Sequence, residues 1–169
     1  AKTHGHTLRE RFLGNPDAAA KLARMSFGLV NFANRLPPVR WLMEKILGIH
    51  RNKLLPIFAA STFERWAERT GRVRRKPGAE VVLFQTCFVE HNEPGIGRDV
   101  IDVLEHNGVD VACVNGLVCC GMPAWEHGDL ETLRKNARHN LDVLMPHVEA
   151  GATVLVVNTN VFARTKFIT

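Results

Sequence analysis

Residues 118–130 read VCCGMPAWEHGDL and place two of the chain's four cysteines side by side, Cys119 and Cys120. Neighbouring side chains rarely reach disulfide geometry without strain. An adjacent pair is better suited to presenting thiolates to one metal cluster, or to thiol redox chemistry. A third cysteine, Cys87, stands upstream with 31 residues between it and Cys119. Three converging thiolates can ligate iron or zinc, because sulfur is a natural donor to both and metal binding drives deprotonation. The competing explanation is that these are buried cysteines acting as small apolar residues. Cys113, inside an apolar run, reads as core.

Other residues near the cysteines are weighed in the same way. His91 follows Cys87 by four residues and His127 follows Cys120 by seven, so either is a candidate ligand. Imidazole is a common metal ligand, but histidine on a surface is commoner. His139 and His147 are more distant candidates, and His106 suits the end of a helix, where a cation favours the dipole. The stretch NEPGIG, residues 92–97, offers backbone N–H groups at a helix start. The simpler reading is a tight turn that needs Gly95 and Gly97 for backbone freedom, with hydrogen bonds to cluster sulfurs as a secondary role. Gly121, next to the cysteine pair, joins them as a candidate cofactor-binding residue, and Met122-Pro123 sets the exit of the loop.

The elements that must position these groups change character near residue 80. Asn15-Pro16-Asp17 has the residues of a helix start, and one helix is expected from there through NRL to the stop at Pro37-Pro38. VRWLMEKILGIHR carries Trp41, Leu42, Lys45 and Ile46 at helical spacing, and STFERWAERTG is a third helix capped by Ser61 or Thr62. GRVRRKPG reads as an exposed basic linker. Beyond it, AEVVLFQTC, VDVACV and ATVLVVNT are strands. Between them GIGRDVIDVLEHNG is a helix with Ile96, Val100, Val103 and Leu104 on one side. GDLETLRKNARHNLDVLMPHVEAG is another, capped by Asp129 and kinked or split at Pro146. The fold class is therefore α/β: an N-terminal helical segment, residues 1–76, followed by a βαβαβ parallel sheet in residues 80–169. Parallel strands gather functional groups at their carboxyl ends, which brings Cys87, Cys119 and Cys120 to one edge.

Composition narrows the function classes. The chain has 169 residues, 46% hydrophobic and 23% charged, as expected of a folded domain with a helical extension. Residues 1–79 carry 16 Lys and Arg against 5 Asp and Glu, and residues 80–169 carry 6 against 12. The basic half suits an acidic partner subunit or an anionic membrane surface. The amphipathic helices within it would lie on a membrane or pack against the second half. The Arg72–Lys76 run accompanies no nucleic-acid module, so no nucleic-acid partner is expected. The opening AKTHGHTLRERFLG is polar and lacks an apolar signal region, and the chain does not begin with Met. Four cysteines at this length are not a secreted disulfide scaffold, so a reducing, cytoplasmic setting is expected.

VVLFQTCFVEHNEPGIGRDVIDVLEHNGVDV followed by VCCGMPAWEHGDLE resembles the cysteine-rich CCG domain. That domain occurs in heterodisulfide reductase, in iron–sulfur subunits of glycolate oxidase and in lactate-utilisation proteins. Within the family the likeness extends furthest to the iron–sulfur subunit of anaerobic glycerol-3-phosphate dehydrogenase. LRERFLGNPD, LMEKILGIHR and TFERWAER resemble the segment that precedes the domain there. The resemblance implies an iron–sulfur electron-transfer subunit of a respiratory flavoprotein dehydrogenase, with Cys87, Cys119 and Cys120 as the first three ligands. Its partners would be the flavoprotein subunit and a quinone-side acceptor or membrane anchor subunit, on the inner face of the cytoplasmic membrane. The implied cofactor is a 4Fe-4S type cluster, with zinc in some relatives. An electron-transfer subunit is expected rather than an independent catalyst.

The family pattern has a further cysteine group about 35 to 40 residues on. Here residues 158–169, NTNVFARTKFIT, contain no cysteine, so the ligand set is incomplete and the chain reads as a fragment or a truncated product. A cluster-less docking or membrane-attachment module is the alternative function, and a thiol redox protein using Cys119 and Cys120 is a third.

Overall fold

A computed structural model of the chain describes residues 15–26, 28–53 and 55–157. The expectations for residues 1–14 and for the tail from 158 lie outside those residues.

Helix α1, Pro16–Met25, starts where expected: the Asn15 side chain accepts a hydrogen bond from the Ala18 N–H at 3.1 Å, and proline occupies the first turn. The single helix expected up to Pro37 is broken. Gly28, at φ 88°, takes a left-handed conformation and starts a separate short helix α2, Leu29–Ala33. Pro37-Pro38 end that segment and also open α3, Pro37–Leu47, which stops at left-handed Gly48. The loop after α3 wraps around the buried Arg40. Its guanidinium donates to the carbonyls of Arg51 at 3.0 Å, His50 at 3.1 Å and Lys53. Helix α4, Phe63–Arg69, is capped by Thr62, whose side chain accepts from the Arg65 N–H.

The sheet has three parallel strands, β1 Val81–Gln85, β2 Val111–Cys113 and β3 Thr153–Val157, in the order β2-β1-β3. Val81 pairs with Val111 on one side and with Thr153 on the other. Between the strands lie α5 Cys87–His91, α6 Pro94–His106, α7 Met122–Glu126 and α8 Leu130–Glu149. Alternation along β1 divides the core. Leu83 joins Phe63, Ala67, Val89 and Ile101 on one face, whereas Val82 and Phe84 join Val114 and Leu144 on the other. Phe63 and Ala67 of α4 thus belong to the same core as the strands.

Several expectations are corrected. The stretch after α4 is not wholly a free linker: Val73 bridges Cys113, the Cys113 N–H donates to the Arg72 carbonyl, and the Arg74 N–H donates to the Cys113 carbonyl. Arg72 and Arg74 also pair with Glu105 and Asp110, so two of the basic residues hold the edge of β2. On α6, Ile96, Val100 and Leu104 pack against the core as expected, and Ile101, 1% exposed, joins them as the most buried; only Val103, 61% exposed, faces out, because the helix face turns through residues 97, 101 and 104. Helix α8 runs through Pro146 without splitting; the proline lies in its last turn, near where the ladder ends.

Gly95 and Gly97 do not supply a left-handed turn. Both lie in the first turn of α6 with ordinary helical backbone. Gly97 is required by packing, since a β-carbon there would stand 2.6 Å from Cε2 of Phe63 and 2.9 Å from Cγ1 of Val89. Gly95 faces open space. Gly97→Ala is expected to cost about 1–3 kcal/mol, because fully buried Phe63 has nowhere to move. Gly95→Ala should leave stability unchanged or raise it by up to about 1 kcal/mol. Urea unfolding of both variants checks the contrast, and equal midpoints would contradict it.

Candidate metal centre

Strand β1 ends at Gln85, and Cys87 opens α5 immediately beyond it. Cys119 and Cys120 lie in the loop after β2, ahead of α7. Parallel pairing therefore brings all three to the carboxyl edge of the sheet, beside the point where successive crossovers run in opposite directions, β1 to β2 one way and β2 past β1 to β3 the other. The three thiols lie near enough to shift one another's proton affinity, Cys120 acting on Cys119 and Cys119 on Cys87. None of the four cysteines is in a disulfide.

The chain of thiols sets their proton affinities apart. The neighbouring Cys119 thiol holds the Cys87 thiol below its ordinary range, against burial and the nearby Asp17 charge. The Cys120 thiol lowers Cys119, yet Cys87 on its other side and its burial push it up to about 11. Cys120 is pushed up by the Cys119 thiol and by partial desolvation. Burial pushes Cys113 up to about 12, as suits a core thiol at the end of β2.

Side chains, not the sheet ladder, hold the backbone of the cysteine loop. Asn140 on α8 accepts from the Val118 N–H at 2.9 Å and donates to the Val118 carbonyl at 3.0 Å. Asn136, one turn earlier, donates to the Cys119 carbonyl at 3.1 Å. Asp17 on α1 accepts from the Cys119 N–H at 2.9 Å, across 102 residues of sequence. Gly121 bends the loop at φ 90°, and the nearness of its N–H lowers the Cys119 thiol against the other influences on it. A β-carbon on Gly121 would stand 2.6 Å from Cδ1 and 3.3 Å from Cα of Leu133, so both its conformation and its surroundings require glycine.

His91 is not directed to the sulfurs. It is buried, with Nδ1 3.0 Å from Nη1 of Arg24 and Nε2 2.9 Å from Oδ1 of Asp17. Arginine only donates, so Nδ1 accepts and the proton sits on Nε2, where it is given to Asp17. Burial raises the Asp17 carboxyl, but the hydrogen bonds from His91 and the Cys119 N–H outweigh it and hold the group below the usual carboxylate range. His127 is the residue that ends α7, His106 lies in the last turn of α6 as expected, and His139 donates its Nε2–H to the Gly116 carbonyl, 2.7 Å away. His147 is buried at the end of α8.

A cavity of about 1010 Å³ adjoins the edge, lined by Cys87 and Cys119 together with Gln85, Glu90, Lys21 and Arg65. Exposed Cys120 looks instead onto a shallow apolar ledge formed with Met122, Trp125 and Leu133. The donor type suits a soft metal, and the set consists of three thiols. Among the described residues, no group of three or more His, Cys, Asp or Glu side chains is already arranged to hold a metal ion. Sequence reasoning missed Asp17, Asn136 and Asn140. The two asparagines, four apart on one helix, were the only local sign of a polar inward face; nothing near Asp17 points to residue 119.

Residues 81–160 match the family model described as "Cysteine-rich domain", CCG. This part of the chain is a CCG cysteine-rich domain. The chain is 32% identical over 136 residues to a subunit of the anaerobic glycerol-3-phosphate dehydrogenase of Escherichia coli (strain K12), an alignment covering 80% of this chain and 34% of that protein. It is 39% identical over 82 residues to "Lactate utilization protein A" of Shouchella clausii (strain KSM-K16), covering 44% of this chain and 34% of that protein. The chain spans about a third of the length of these relatives. No solved structure gives a significant match. Asp17, Asn15 and the whole of α1 lie outside the segment that matches the CCG model.

Two outcomes are expected of the metal-free protein. At pH 8, iodoacetamide should modify Cys87 before the more exposed Cys120, because only Cys87 has a lowered thiol; mass spectrometry of quenched samples reads the order, and Cys120 reacting first would contradict that ordering of the thiols. Asn140→Ala removes both partners of the Val118 peptide and is expected to lower stability by about 1–3 kcal/mol in denaturant unfolding.

Proposed function

We propose that the chain is an iron–sulfur electron-transfer segment of a flavoprotein dehydrogenase complex, in which Cys87, Cys119 and Cys120 hold the metal centre. The observation that carries this reading is the meeting of the three thiols at the carboxyl edge of the sheet, on loops set by two different strands. An iron–sulfur cluster bound there would take up and release single electrons. The chain's own residues supply the thiolates, and the Cys119 thiol beside Cys87 holds the latter below its ordinary range. Metal binding would draw off the protons of the other two. The 4Fe-4S type is the form we propose, with zinc as the other metal suited to thiolates. Gly121 contributes to the cofactor site by turning the loop beside the cysteine pair; Gly97 contributes by letting α6 pack closely on Val89 of the helix that Cys87 opens, whereas Gly95 faces open space and has no such part.

The relatives' names place such proteins in glycerol-3-phosphate oxidation and lactate utilisation. Substrate oxidation would belong to a flavoprotein partner, and electrons would leave towards a quinone-side acceptor or an anchor subunit. The N-terminal helices carry a surface for that contact: Leu22, Met25 and Phe32 on α1 and α2, and Trp41, Leu42 and Ile46 on α3, are exposed beside basic side chains. Such a surface suits a protein partner or the inner, anionic face of the cytoplasmic membrane. No described helix is long and apolar enough to cross a membrane. A cluster-less docking module is the second reading, favoured by the incomplete thiol set and by the lack of a ready metal geometry among the described residues.

Anaerobic reconstitution of the purified chain with iron and sulfide separates the two. Stoichiometric iron and acid-labile sulfide with a visible spectrum, lost in Cys119→Ser, is the expected outcome. A folded protein that takes up neither would sink the electron-transfer reading and leave the docking module.

A further inference from the structure

The partly buried polar network between α1 and the cysteine loop is built around one carboxylate. Asp17 uses both oxygens: Oδ1 receives the His91 Nε2–H at 2.9 Å and Oδ2 receives the Cys119 N–H at 2.9 Å. The two donors belong to the two strand ends that carry the thiols, since His91 closes the helix opened by Cys87. Arg24, two turns along α1, locks the other side of the His91 ring at 3.0 Å. One helix outside the CCG domain therefore fixes the spacing of its two cysteine segments. Helix α8 holds the remaining loop groups, the Val118 peptide and the Cys119 carbonyl, leaving the Cys119 N–H to Asp17 alone.

We propose that Asp17 is a positioning residue for the metal centre: it sets the separation of the Cys87 and Cys119 segments and places a negative charge beside the bound metal. This rests on the reading of Cys87, Cys119 and Cys120 as ligands. Only a carboxylate does both tasks. Asparagine at 17 offers one acceptor oxygen and turns an N–H₂ group towards one of the two donors, so one of the two bonds is lost. The charge has a separate consequence. A fixed anion beside a cluster disfavours the added electron, so the potential is held down. Asp17 also occupies the Cys119 N–H, which then cannot donate to a cluster sulfur, a contact that would raise the potential.

The test uses the full chain, with Asp17→Asn, Asp17→Ala and, as a distant control on exposed α3, Lys45→Ala. Cobalt(II) is titrated into each protein and followed by the thiolate-to-cobalt absorption, with circular dichroism to confirm the fold. Both Asp17 variants should bind cobalt about ten- to a hundredfold more weakly than the wild type, while Lys45→Ala matches it. The iron–sulfide-reconstituted Asp17→Asn protein should have a more positive midpoint potential than the wild type, a shift that a purely structural role for Asp17 would not produce. Unchanged cobalt affinity and potential in a folded Asp17→Asn protein would overturn the positioning role alone. A wild-type chain that takes neither cobalt nor iron would overturn the metal centre and the positioning role together. Weakened cobalt binding with an unmoved potential would overturn the electrostatic half and leave the spacing half.

Discussion

Parallel pairing of β1 with both neighbours is the constraint from which the rest follows. A strand cannot be joined to a parallel neighbour by a tight turn; the chain must cross the face of the sheet and return. The crossovers through α6 and α8 therefore cover the sheet, and the turns that follow β1 and β2 emerge at one edge. That edge is where Cys87 and the Cys119-Cys120 pair meet. The same geometry exposes a difficulty. Loop backbone at a sheet edge has no ladder to satisfy it, so buried N–H and C=O groups need side-chain partners. Asn136, Asn140 and Asp17 provide them, two from a crossover helix and one from the N-terminal segment.

The N-terminal helices are thereby drawn into the same body as the sheet. Phe63 and Ala67 fill one face of the core, Val73 extends the edge beyond β2, and Asp17 reaches the cysteine loop. Glu90, buried behind Cys87, accepts from the Glu64 N–H at 2.9 Å and so ties α5 to the first turn of α4; its burial raises the carboxyl above its usual range. The guanidinium groups of Arg72 and Arg98 both lie over the Trp66 ring, at 5.1 and 5.5 Å from its centre. The basic excess of this half is thus partly internal, used in packing, and partly displayed around the exposed apolar residues of α1 to α3.

Local patterns in the sequence revealed much of this. The three strands, α6 and α8 were legible from short β-branched runs alternating with helical periods, and the cysteines could be placed once those strands were taken as parallel. The break at Gly28 was not, because an apolar run with a single glycine has the same period whether or not the glycine turns left-handed. The GRVRRKPG stretch looked like a linker by composition; its backbone pairing with Cys113 depends on a strand some 40 residues later and leaves no mark in its own side chains. Asp17 is the clearest case. Its neighbours Asn15 and Pro16 explain it fully as part of a helix start, and its second task is visible only when α1 has docked.

The contacts that fasten the N-terminal half differ in how they meet dissolved salt. Arg40 is enclosed by three backbone carbonyls, and such dipoles in a buried setting are little affected by ions in the bath. Arg74 with Asp110 and Arg72 with Glu105 lie towards solvent, where mobile ions screen attraction over about 10 Å at 0.1 M salt and about 3 Å at 1 M. Ionic strength therefore acts on the seam along β2 and leaves the loop around Arg40 as it was. The molecule has one joint that loosens with salt and another that does not.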